Sequence, residues 1–222
     1  MLSHQTLQFL RNLDQNNNRE WFHANRIDYE LTKAEFERLC QEILTGISKF
    51  QQNLINTSVK SCILRINRDI RFSTDKSPYK NYLAAGFGPG GKSSGFVDFY
   101  LQIQPNESFL GGGMWAPTTS QLASFRQEID YNPHILKGII ENKIFKTYYN
   151  EIHGEKLKLM PKGYSPDHPD IELLKYKQLF FVHKYSDEEV LGTQFSDKVI
   201  EGCKILKPYL DYINELFYNE AN

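Results

Sequence analysis

Apolar residues mark the chain in two periods. Leu7, Phe9, Leu10 and Leu13 predict a short amphipathic first helix, broken at Asn16-Asn17-Asn18. Asn17 and Glu20 stand at capping-box spacing, which predicts a second helix carrying Trp21 and Phe22 in its first turn. Phe36, Leu39, Cys40, Ile43, Leu44, Ile47 and Phe50 recur at helical steps and predict a long amphipathic helix. The period then changes to two. Cys62, Leu64, Ile66, Ile70 and Phe72 predict one face of a strand, with Arg65, Asn67, Asp69 and Arg71 on the other and Arg68 among the apolar positions. Tyr82 to Phe87 predicts a short strand. Val97, Phe99, Leu101 and Ile103 predict a half-buried one. Another runs through Phe109 and ends at Gly111-Gly112-Gly113.

Thr118 with Gln121 is a second capping-box match, opening a helix through Leu122, Phe125 and Ile129. Short helices are expected between Pro133 and Tyr149, and a helical segment from His168 to Lys175. Leu179 to Val182 reads as a strand. A final helix carries Val199, Cys203, Leu206, Leu210, Ile213 and Phe217, with Pro208 expected to kink it. Helices, then adjacent strands, then helices predict a single α+β domain over residues 1–222. Its largely antiparallel central sheet is flanked by N-terminal and C-terminal helices. Regular βαβ alternation is absent, which disfavours a Rossmann fold.

Composition narrows the function classes. A net charge of -1 over 222 residues disfavours a globally basic nucleic-acid binder. No signal peptide and no membrane-spanning apolar run are found, so a cytoplasmic protein with no membrane partner is expected. Cys40, Cys62 and Cys203 read as reduced, buried thiols. Histidine spacing supports no zinc site.

Two motif matches fail on context. Gly86-Phe87-Gly88-Pro89-Gly90-Gly91-Lys92-Ser93 fits the P-loop pattern, but a strand rather than a helix follows, and Pro89 lacks an N–H. Gly91-Lys92-Ser93-Ser94-Gly95 fits a nucleophile elbow with the same defect.

The candidate chemistry lies between Lys60 and Lys92, where seven basic residues face two acids. That is a local +5 hidden in a neutral chain. Guanidinium forks suit carboxylate and phosphate, and an Arg68 on an apolar strand face would need an anionic partner. The reading is a pocket for a small anionic ligand bearing phosphate or carboxylate, with no cofactor or metal assigned. Arg68, Arg71, Lys76 and Lys80 would bind the anion and Tyr79 would orient it. Asp69 is the candidate acid–base group if the protein is an enzyme. Gly111, Gly112 and Gly113 could offer backbone N–H groups. Arg19 and Trp21 could add a cation and an aromatic wall. The alternative is a protein-interaction module whose aromatic, basic surface meets an acidic partner; cross-strand ion pairing and turn formation explain the same cluster without function.

Several of these segments resemble the signature of a widespread bacterial family, catalogued as domain of unknown function 2461. They are Asn16 to Phe22, Arg68 to Lys80, Gly90-Gly91-Lys92, Tyr100 to Pro105, Ser108 to Gly113 with Pro117, and Asp187 to Leu191. The resemblance spans nearly the whole chain. It implies no activity, cofactor or catalytic residue.

Overall fold

A computed structural model describes residues 1–218. The described residues fall into two compact units. The first comprises Met1–Leu110 and Lys184–Cys203; the second comprises Gly111–His183 and the chain from Lys204 on. The fold is α+β, and its four strands form an antiparallel sheet in the order β1-β2-β3-β4. They are β1 (Leu83–Phe87), β2 (Phe99–Ile103), β3 (Ser108–Met114) and β4 (Leu179–Tyr185).

In the first unit, α1 (His4–Gln15) is capped by Ser3, whose hydroxyl accepts the Thr6 N–H. It buries Leu7, Leu10 and Leu13 against α3 (Arg26–Ile47), whose apolar stripe from Phe36 to Ile47 is fully buried. A polar clamp sets how these helices meet. Glu35 Oε2 accepts hydrogen bonds from Ser3 N at 2.9 Å, Ser3 Oγ at 2.9 Å and Thr6 Oγ1 at 2.6 Å. Between these helices, α2 (Arg19–Ala24) is capped by Asn18. The predicted cap, Asn17, is one residue early, and its side chain has another use described below. All five residues of β1 are buried, consistent with α3 packing against this strand. Strand β2 alternates buried and half-buried positions, as its sequence predicts. Helix α9 (Asp187–Leu191) carries a capping box between Ser186 and Glu189, and Asp187 accepts from Arg11 and from the Asn106 N–H.

The predicted strand from Cys62 to Phe72 does not form. Val59–Cys62 is the helical turn α4, and the chain after it makes only isolated bridges, Ile63 to Ala85 and Asn67 to Tyr79. The alternation is real for a few residues: Leu64 N–H donates to Ala84 and Lys80 N–H to Ile66. Beyond Arg68 nothing covers the outer positions, and Phe72 is 95 % exposed. A charged residue at an apolar-face position ends the burial that would hold a ladder together.

The β1–β2 connection is the P-loop match, and several of its donors are used within the protein. Gly90 N–H binds Thr57 Oγ1, Lys92 N–H binds the Ser61 carbonyl, and the Lys92 amine reaches that carbonyl at 3.2 Å. Gly91 N–H binds Gly88. The loop is therefore fastened to Thr57 and to Ser61 of α4. Asp98 closes it from below: a Cβ at Gly88 would overlap the Asp98 carboxylate, and Ser94 Oγ contacts both carboxylate oxygens at 2.8 and 2.9 Å. Burial pushes the Cys62 thiol up to about 11, with the Asp98 charge raising it further and Lys92 lowering it.

In the second unit, α5 (Thr119–Tyr131) opens on the predicted Thr118–Gln121 capping box. It is followed by α6 (Pro133–Ile140), α7 (Lys143–Tyr149) and α8 (Ile171–Leu174). The helix expected from His168 is confined to those last four residues. Helix α10 (Phe195–Tyr218) contains Pro208 within its length. Its Tyr209 donates a buried 2.6 Å hydrogen bond to the Leu179 carbonyl, beside an edge-on Phe181 ring at 4.9 Å. Gly111–Gly113 do not end β3 but lie inside it. Gly113, at φ 137°, lets β4 approach, since a Cβ there would sit 2.7 Å from the Leu179 carbonyl and Phe180 Cα.

Two outcomes follow from this packing. Burial raises the Asp98 pKa to about 6. The folded carboxyl thus holds its proton where the unfolded one has lost it, and stability falls as pH rises from about 4 to about 6. Asp98→Asn is expected to gain about 1–2 kcal/mol at pH 8, after allowance for solvent screening, and to flatten that pH dependence in urea unfolding. An unchanged pH profile would refute the assignment. Glu35→Ala is expected to cost about 1–3 kcal/mol, read as a lower unfolding midpoint, because it releases three donors at once.

Candidate functional site

The first unit contains a polar cleft of about 500 Å³, within the roughly 300–1,000 Å³ of small-molecule sites. Asp14 at the end of α1 and Asn17 in the α1–α2 turn form one wall. Arg68, Asp69, Asp75, Ser77 and the run Tyr79 to Tyr82 form the rest.

The loop that shapes the cleft is pinned at both ends. Asn17 clamps the Tyr79 main chain, its Nδ2 donating to the Tyr79 carbonyl at 2.9 Å and its Oδ1 accepting the Tyr79 N–H at 3.1 Å. The Tyr79 ring is 7 % exposed and stacks on Phe22 at 3.9 Å between centroids. Phe22 in turn packs against Phe9 and Tyr29. The aromatics of α1, α2 and α3 thus form the bed on which the loop rests. The Arg68 N–H binds the Pro78 carbonyl, closing the base of the loop.

Within the loop, charge is divided unevenly. Arg68, whose side chain is 27 % exposed, pairs with Asp75 and reaches Ser73 Oγ at 3.4 Å. Asp75 also accepts from the Ser77 hydroxyl and N–H, and these bonds with Arg68 hold its pKa well below the usual carboxylate range. Arg71 binds Asp69 through two nitrogens, at 2.9 and 2.6 Å, lowering the Asp69 pKa. The carboxylate is ionised and occupied, a poor carrier of protons near neutrality. Lys76 is exposed and spends its amine on the Ile70 carbonyl at 3.0 Å.

Lys80 is different. It is half-buried, and its amine has no hydrogen-bond or ion-pair partner among the described residues; its nearest recorded contact is the Tyr82 ring, at 5.6 Å. Burial lowers its pKa, and the positive charge of Arg65 lowers it further.

Of the residues expected from sequence, Arg68, Asp69, Tyr79 and Lys80 line the cleft. Arg71 and Lys76 belong to its outer loop but do not line it. Arg19 is exposed, and Trp21 packs on Phe9 at 5.8 Å; neither borders the cleft. Gly111, Gly112 and Gly113 sit in strand β3, and none of them lines it. Asp14, Asn17, Asn81 and Tyr82 line the cleft without having been expected. Among the described residues, no three His, Cys, Asp or Glu gather as a metal-binding group. None of their helices is long and apolar enough to cross a membrane.

No curated protein and no solved structure matches the chain. A family model described as Conserved hypothetical protein (DUF2461) matches residues 5–212. That match covers the cleft and all of its lining residues, and with it the chain belongs to the DUF2461 family.

Proposed function

We propose that the cleft binds a small ligand through an anionic group, phosphate or carboxylate. One observation carries the reading: Lys80 is a half-buried cation without a protein carboxylate, beside Arg65 and on the wall that also holds Arg68. A desolvated, unpaired ammonium costs free energy, and an anion arriving beside Lys80 recovers it. The reading is one of binding; Asp69, committed to Arg71, is given no proton-transfer step. The three free, buried cysteines support a reducing, cytoplasmic setting.

A second reading rests on Phe72. It stands almost wholly exposed with the Arg71 guanidinium 5.8 Å from its ring centroid, a feature suited to an acidic protein partner. Phe72→Ala separates the two, because it removes that surface and leaves the cleft lining intact.

Calorimetric titration of the full chain with inorganic phosphate tests the first reading. Lys80→Ala is expected to weaken binding about tenfold or more, while Lys76→Ala and Phe72→Ala leave it within about twofold. Affinity is expected to fall as pH rises through the lowered Lys80 pKa, earlier than for an ordinary lysine at 10.5. Equal losses in the Lys80 and Lys76 variants would overturn the reading, as would no binding by the wild-type chain.

A further inference from the structure

We propose that the anion bound in this cleft is carried on a polyol, so that the ligand is a sugar-like molecule bearing a phosphate or carboxylate. The inference rests on the anion-binding reading and follows from the valences the cleft leaves open. Asp69 spends both carboxylate oxygens on Arg71. Asp75 spends both on Ser77 and Arg68. Asn17 holds the Tyr79 backbone with both ends of its amide. All three are engaged in shaping the loop itself.

Two kinds of group remain. Lys80 is the open donor, and with the positive charge of Arg68 in the same lining it takes the anion. Next to Lys80 along the chain, Asn81 Nδ2 donates to Asp14 Oδ1 at 2.7 Å. That bond leaves the Asn81 carbonyl oxygen and Asp14 Oδ2 as acceptors with no protein donor among the described residues. Asp14 repels a bare phosphate. The cleft, at about 500 Å³, is also far larger than such an ion needs. Adjacent hydroxyls on one carbon chain satisfy both acceptors, each donating a proton without bringing in a second charge. An ammonium is the weaker match. Asp14 is exposed, and an exposed carboxylate gains little from an ion pair. Carboxylate and amide side by side therefore read hydroxyl groups, while Lys80 and Arg68 read the charge.

Four probes titrated into the full chain separate the parts: inorganic phosphate, glucose, glucose 6-phosphate and gluconate. Glucose 6-phosphate, gluconate or both are expected to bind about tenfold tighter than inorganic phosphate, and glucose alone only weakly. Which of the two is tighter identifies phosphate or carboxylate as the natural anion. Asn81→Ala is expected to remove that tenfold advantage, with an unchanged circular dichroism spectrum showing the variant to be folded. Binding of phosphate with no advantage for either sugar anion would overturn the polyol inference alone, as would an advantage that survives Asn81→Ala. Tighter binding of glutamate than of gluconate would overturn it in favour of a zwitterion. Binding of none of the anions would overturn the anion reading and this inference together.

Discussion

The loop from Arg65 to Lys80 holds more positive charge than its own acids can neutralise, and its shape follows from how the surplus is distributed. Asp75 takes Arg68 and Asp69 takes Arg71; the Ser77 hydrogen bonds, with Arg68, hold Asp75 ionised, and Arg71 does so for Asp69. Lys76 turns to a carbonyl. Lys80 is left half-buried with no acid, next to a cleft. Exposed pairs such as Arg71–Asp69 add little stability in water. Their effect is to occupy both acids of the loop, which leaves Lys80 without a carboxylate.

That arrangement needs a rigid mount. Asn17 and the Phe22 ring supply it, one by closing both main-chain bonds of Tyr79 and the other by stacking beneath its ring. The aromatic richness of the chain thus has a structural explanation here: Phe9, Phe22, Tyr29 and Tyr79 form a packed bed. Phe72 is the exception. Trp115, another exposed aromatic, lies against Phe180 at 4.6 Å.

Local signals in the sequence were legible where a few neighbouring residues decide the outcome. The apolar stripe of α3, the alternation of β2 and the Thr118–Gln121 box all depend on contacts within a turn or a strand, and each forms as expected. The region after Cys62 was misread because alternation alone does not make a ladder: Arg68 interrupts the apolar face, and Ile70 and Phe72 have no sheet to cover them. Half of the cleft was illegible for a different reason. Asn17 meets Tyr79 across 62 residues and Asp14 meets Asn81 across 67, and neither contact leaves a mark on the sequence around it. Asn17 even carried a misleading signal, since its spacing to Glu20 mimics a cap that Asn18 provides. The glycine motifs show the converse. The P-loop pattern is present in full, yet its donors close onto Thr57 and Ser61, and the triplet at Gly111 serves strand packing.

The titration of the Lys80 amine, followed by NMR in the full chain with and without phosphate, bears most directly on this account. A half-buried, unpaired ammonium titrates below the ordinary lysine value of 10.5 in phosphate-free buffer and moves upward when phosphate is added, because a bound anion favours the charged form. An ordinary value that phosphate does not move would contradict it: Lys80 would then be a solvated surface cation, and the cleft would have no vacancy for an anion.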